Sequence, residues 1–194
     1  MPDAPDSLGG FRPTYGVELL YVSSPTIRKS ELLRALRTRC DDAAPLDGNE
    51  EGGLLAFVFP KHPVMLKDAT LPAQVFVAVS EEMSSGPSIT AALQQSWSFP
   101  NAKAVVDRCA TSVLITDLMS ASLPYRERID LFEAALLSLL EVSPPDALHW
   151  VPAQRVVEPS QYVESSRVSR ASAFFAGPVN VRFFNVSEIG RAHV

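Results

Sequence analysis

Between positions 54 and 79 the chain carries three apolar segments, residues 54–59, 64–66 and 74–79, split by Pro60, Pro63 and Pro72. The gaps are far shorter than the dozen or so residues that a parallel crossover needs, so strands here must pair antiparallel. The first and third segments are nearly continuous hydrophobes, the pattern of strands covered on both faces. Proline supplies no ladder donor inside a sheet, so Pro60, Pro63 and Pro72 punctuate these segments. The chain is thereby committed to a sheet with further layers packed on it.

The remaining segments supply those layers. Residues 15–22 alternate, with Val17, Leu19 and Tyr21 on one face, as a half-buried strand does. Ser24-Pro25 is a helix start, a capping hydroxyl followed by a residue with helical φ, and the helix is expected to run to about Arg39. Leu32, Leu33, Leu36 and Cys40 fall at core-facing spacing along it. Residues 41–53 read as an acidic, glycine-rich loop. Two short helices are expected at 89–97 and 101–109, broken at Phe99-Pro100, then a strand at 112–118. The clearest helix covers 125–140, with Tyr125, Ile129, Phe132, Leu136 and Leu139 down one side and Arg126, Glu127, Asp130 and Glu133 off it. Pro144-Pro145 ends it ahead of a short strand at 147–151, a helical turn at 161–166 and a closing strand at 179–186. Strand, helix and strand across 112–151 form a right-handed β-α-β crossover. The expected fold is α+β, one mixed sheet of about six strands with helices packed on it.

With 46% hydrophobic and 20% charged residues, a chain of 194 residues buries enough surface to fold without a metal or disulfide staple. The net charge of −5 argues against sequence-independent nucleic-acid binding and against docking on anionic lipid. Cys40 and Cys109 stand alone, without a Cys-x-x-Cys pair or a histidine at metal spacing, and read as buried free thiols, a disulfide between them remaining open. No metal or cofactor is expected. Residues 1–13, rich in Pro, Asp and Gly, read as a disordered lead-in without signal-peptide character, and no apolar run is long enough to span a bilayer. A cytoplasmic protein is the expectation, with one domain over residues 14–187.

Chemistry-bearing residues are sparse. Neither standard Gly-rich phosphate loop, nor Gly-x-Ser-x-Gly, nor His-Glu-x-x-His occurs. Asp117 ends a strand and either faces a crevice with His149 and Trp150, where carboxylate and imidazole would make an acid–base pair, or caps a turn or pairs with a neighbouring arginine. The crevice reading rests on His149 closing a parallel strand, since ligands collect at the carboxyl ends of such strands. Arg155 and Tyr162 complete the candidate binding set of Asp117, His149, Trp150, Arg155 and Tyr162, and no residue is assigned a catalytic role. His62 falls in a strand-to-strand turn and reads as solvated or as a base. Arg126 and Asp130 are spaced to pair at i,i+4 on a solvated helix face. The basic first helix (Arg28, Lys29, Arg34, Arg37, Arg39) either receives an anionic partner or is neutralised by the following Asp41, Asp42, Asp47, Glu50 and Glu51.

Cys109, Thr116-Asp117-Leu118-Met119, Leu123-Pro124-Tyr125-Arg126-Glu127-Arg128 with Leu131-Phe132, Leu140-Glu141-Val142, His149-Trp150, Pro159 with Tyr162, and the series from Gly177-Pro178 to Phe184-Asn185 form a long spaced set. On these residues the second half of the chain resembles a bacterial family known as a domain of unknown function. The resemblance implies kinship without an assigned reaction, cofactor or catalytic residue, and a chain that continues past the last strand. Relatives tend to carry Tyr where this chain has His149. The last residues, Ile189-Gly190-Arg191-Ala192-His193-Val194 with Glu188, resemble an in-frame translation of a sequencing-library adapter. Residues 188–194 are therefore expected to be a non-native tail, and the domain to be cut short at about Ser187, leaving its last strand without a neighbour and the chain poorly soluble. The expected function is a non-catalytic binding or interaction domain, with a protein partner or small ligand. The alternative is a hydrolase or transferase whose remaining groups lie in the missing C-terminal part.

Overall fold

In the computed structural model residues 14–46, 53–81, 83, 87–118 and 120–179 are described. They run β1 (Gly16–Tyr21), α1 (Lys29–Arg37), β2 (Ala44–Pro45), β3 (Leu54–Met65), β4 (Thr70–Ser80), α2 (Pro87–Gln94), α3 (Ala102–Val106), β5 (Thr111–Thr116), α4 (Tyr125–Val142), β6 (Ala147–Trp150), β7 (Arg155–Val157), α5 (Pro159–Val168) and α6 (Arg170–Ala176). The expected lead-in at 1–13 and closing strand at 179–186, apart from Val179, lie outside the described residues, as does the tail.

The fold is α+β, and its sheet differs in detail from the expectation of about six strands in a mixed arrangement. Seven strands are ordered β2-β3-β4-β5-β1-β6-β7. Every bonded pair is antiparallel. The reason lies at the centre. β1 pairs with β5 on one side and β6 on the other, antiparallel to both. β5 and β6 therefore run parallel and are joined through α4, so the crossover exists, but it strides over β1 and yields no parallel ladder.

The apolar segments at 54–59 and 64–66 merge into β3, whose register against β4 shifts between Phe59 and Pro63. The two prolines of that stretch sit in the irregularity, where a missing N–H breaks no regular ladder. Gly53, just before β3, takes φ +74°, a conformation that a side chain disfavours.

Side chains alternate across the sheet and build two cores. On one face Val17, Leu19 and Tyr21 of β1, Val113 and Ile115 of β5 and Leu148 and Trp150 of β6 meet Leu32 and Leu36 of α1, Leu131, Phe132, Leu136 and Leu139 of α4, Tyr162 of α5 and Ala173 of α6. On the other, Leu20, Ala147 and Val156 meet Ile89 and Ala92 of α2 and Ala102 and Val106 of α3. Each fully buried Leu or Phe contributes about 1.5–3 kcal/mol relative to an exposed one, and the first face carries most of them. The phenol of Tyr21 donates to the Ser143 carbonyl at 2.9 Å, and burial pushes it up to about 12.

Helix boundaries also shift. α1 starts at Lys29, well after Ser24-Pro25, and no side chain caps it. Before it, the Val22 N–H is drawn to Asp146 Oδ2 at 2.8 Å. The helical turn expected at 161–166 is a full α5, with Pro159 in its first turn as φ preference dictates. Of the acidic loop expected to neutralise α1, Asp47, Glu50 and Glu51 lie outside the described residues, and Asp41 and Asp42 turn to β3. Asp41 pairs with Lys61 Nζ at 2.7 Å and Asp42 accepts the Lys61 backbone N–H at 2.8 Å, while Arg39 reaches Glu141 at 2.9 Å. Among the described residues no helix is long and apolar enough to cross a membrane.

Candidate functional site

The two-residue period of a strand separates the candidate residues. His149 and Trp150 are neighbours on β6, so their side chains leave opposite faces of the sheet. The expectation of a single crevice holding Asp117, His149 and Trp150 is corrected on that ground. β6 is moreover bonded only to antiparallel neighbours, so its end forms no parallel-sheet crevice.

His149 is fully buried and faces the α2–α3 layer. Its Nδ1 lies 3.0 Å from Oε2 of Glu18, directly opposite on β1, and its Nε2 has no partner among the described residues. Glu18 was not foreseen. Its signal was a carboxylate inside the otherwise apolar run of β1, where a charge survives only with a partner.

Asp117 lies beyond the end of β5 and is 2% exposed. It accepts two donors of Arg128, itself 3% exposed, from Nε and from Nη2, the latter at 3.1 Å, and it accepts the Tyr15 backbone N–H. The pairing with a neighbouring arginine is thus the reading that the geometry bears out. Burial pushes the Asp117 carboxyl above its ordinary value, against the pull of Arg128 and the Tyr15 N–H. The Arg128 guanidinium also sits 4.2 Å over the Tyr15 ring. This carboxylate is consumed by internal contacts and is not presented to a reacting group. Arg128, expected with Tyr125, Arg126 and Glu127 on a solvated helix face, is buried instead, because it precedes Leu131, Phe132 and Ala135 at i+3, i+4 and i+7 in the buried stripe of α4.

Tyr15 links this pair to a row of aromatic rings. Ring centroids run Tyr15–Phe132 at 5.9 Å, Phe132–Trp150 at 6.3 Å and Trp150–Tyr162 at 5.5 Å, all tilted or edge-on. Each such pair adds about 0.5–1.5 kcal/mol beyond its buried area. α4 and α6 hold the row from above, and Gly177 closes it. A Cβ on Gly177 would stand 2.5 Å from two Trp150 ring carbons, so only glycine fits there. Trp150 Nε1–H finds no acceptor among the described residues.

Between these rings lies a cavity of about 30 Å³, lined by Tyr15, Ile129, Phe132, Glu133, Trp150, Tyr162, Arg170, Ala173, Phe174 and Pro178. It shares Tyr15, Ile129, Arg170 and Phe174 with an open groove of about 560 Å³, which adds Tyr125, Arg126, Ala171 and Phe175. Groove and cavity are therefore one recess, apolar within and carrying two guanidinium groups outside. Half-buried Glu133 is pushed upward by burial, and Tyr162 moves the same way for the same reason.

Of the five candidate residues, Trp150 and Tyr162 line this recess, and Asp117 reaches it only through Arg128 and Tyr15. Arg155 stands at the outer edge of β7, donating to the Phe175 carbonyl at 2.8 Å and to Ser98 Oγ at 2.8 Å, where it fastens α6 and the α2–α3 linker. Its role there is mechanical. Burial lowers its pKa from the ordinary arginine value.

The other singled-out groups settle elsewhere. His62 Nδ1 lies 2.5 Å from Glu127 Oε1, tying the β3–β4 hairpin to the start of α4. Arg126 bonds to the Tyr125 hydroxyl at 2.9 Å, and the expected partner Asp130 pairs instead with Arg170 at 2.7 Å. Both cysteines are free and half-buried, each pushed up to about 11 chiefly by burial. The described residues hold no cluster of His, Cys, Asp or Glu able to grip a metal ion. Comparison of the chain with protein-family models, with curated proteins and with solved structures gives no match.

Proposed function

We propose that this chain is a non-catalytic binding domain whose small-molecule ligand enters between α4 and α6 and ends against Trp150 and Tyr162. The observation that carries the reading is the recess itself. Its outer part is of the size that ligand sites occupy, its inner part is walled by aromatic rings, and its rim bears a few polar groups. Supporting it, the polar groups nearby are already spoken for. Asp117 is locked to Arg128, and His149 lies on the other side of the sheet with Glu18, so the two cannot act together on one substrate. A cytoplasmic setting belongs to the same proposal and rests on two unpaired thiols. So does kinship with the bacterial family suggested by the Thr116-to-Asn185 series.

The test uses the two tryptophans. Trp97 is 66% exposed and Trp150 3%. In a Trp97→Phe variant all indole emission reports on the recess. Octan-1-ol and octanoate are each expected to change it saturably, and Ala171→Phe, which fills the open groove without entering the core, to weaken both. Absence of any saturable change with either compound would remove the reading.

A further inference from the structure

Resting on that binding reading, we propose that the ligand is an amphipathic monocarboxylate, its apolar body in the aromatic recess and its carboxylate held outside by Arg126 and Arg170. The charge pattern of the recess makes the assignment. The outer groove is lined by the guanidinium groups of Arg126 and Arg170 and by no carboxylate, whereas the inner cavity sets Glu133 beside Arg170. An anionic head is therefore favoured at the mouth, where Arg126 adds a positive charge that no carboxylate of the groove lining offsets. Only one negative charge is accommodated, because Asp130 pairs with Arg170 on the flank of the same mouth.

Arg126 is the more telling of the two. It is the second residue of α4, where the helix dipole is positive and a cation is disfavoured. No carboxylate lies within ion-pair distance of it among the described residues, and its contacts are the Tyr125 hydroxyl and, at 5.7 Å, the face of the same ring. A guanidinium laid over an aromatic ring, with Nε on the Tyr125 hydroxyl, keeps its two terminal nitrogens for a carboxylate, which it grips by two parallel bonds. The ring beneath it is half-exposed, as are its neighbours Phe174 and Phe175, so a ligand tail crossing from the mouth to Trp150 stays on apolar surface throughout. Three such rings gather, partly exposed, on the same side of α4 and α6 among the described residues.

The experiment compares octanoate with octan-1-ol, equal in chain length and different in head charge, by Trp150 emission of the Trp97→Phe protein at pH 8. Octanoate is expected to bind at least about tenfold more tightly, the yield of one charge-assisted contact. The preference is expected to shrink as sodium chloride rises from low to high concentration. Arg126→Gln should remove about tenfold from octanoate binding and leave octanol unchanged, and Arg126→Lys should restore part of the loss. Equal affinity for acid and alcohol, or an acid preference untouched by Arg126→Gln, overturns the monocarboxylate assignment alone. Binding of neither compound overturns the binding reading beneath it as well.

Discussion

Replacing Arg128 with methionine keeps a long, flexible side chain in the α4 stripe and deletes the guanidinium. Asp117 then remains almost fully buried, with the Tyr15 N–H as its donor in place of three contacts. Removing one partner of a buried ion pair costs about 3–5 kcal/mol, because the other charge is left without compensation. Loss of the guanidinium from the Tyr15 ring face adds about 0.5–2 kcal/mol. Against a total stability of about 5–15 kcal/mol this is a large fraction. With a urea slope near 2 kcal/mol/M the unfolding midpoint, followed by far-ultraviolet circular dichroism, should fall by about 2 M. Adding Asp117→Asn to the variant removes the stranded charge and should recover a substantial part of the loss.

The pH dependence has a defined sign. In the variant, burial still pushes the Asp117 carboxyl upward and the guanidinium no longer opposes it. A carboxyl whose folded value lies above its unfolded value of 3.8 binds the extra proton in the folded state. Its contribution to stability is complete below that unfolded value and is lost as pH rises through the folded one. The deficit of Arg128→Met should therefore be larger at pH 8 than at pH 4.5. A loss under about 1 kcal/mol at neutral pH, a double variant no better than the single, or a deficit that grows in acid would each refute the account of Asp117 as a stranded buried charge.

Gly177→Ala drives a methyl group into the Trp150 ring and should cost about 1–3 kcal/mol, with a shift in Trp150 emission, and an unchanged melting temperature would show that the turn yields freely. Cys40 and Cys109, both held near 11, should react slowly with a disulfide reagent at pH 8 in the folded state, and labelling at the rate of a free peptide thiol would contradict their burial.

The strands of this fold were largely legible because their signals are local. Proline-punctuated apolar runs gave β3 and β4, and the alternation of Val17, Leu19 and Tyr21 gave β1. The place of β1 between β5 and β6 was not legible, since no local feature of six residues says which distant strands will flank it. Of the candidates named from sequence, Trp150 and Tyr162 line the recess, and His149 was put beside them by adjacency in sequence, which in a strand means separation in space. Glu18 escaped notice, and Arg128 was read with Arg126 and Glu127 as one solvated helix face. The informative charges were those at positions where only apolar residues belong. Arg126 drew notice as half of an i,i+4 pair, and its partner Asp130 was taken by Arg170 of α6, an element that sequence pattern did not reveal.

The central position of β1 has a consequence for biosynthesis. Glu18 waits for His149, 131 positions further along. At about 5–20 residues per second, a ribosome needs roughly 10 s to deliver that partner. Both hydrogen-bonding edges of this apolar stretch stay open until β5 is made, and the edge that β6 will cover stays open to the end of the interval. A strand edge left open for that long is a template on which another nascent copy can pair, so synthesis is the stage at which β1 is most exposed to mispairing.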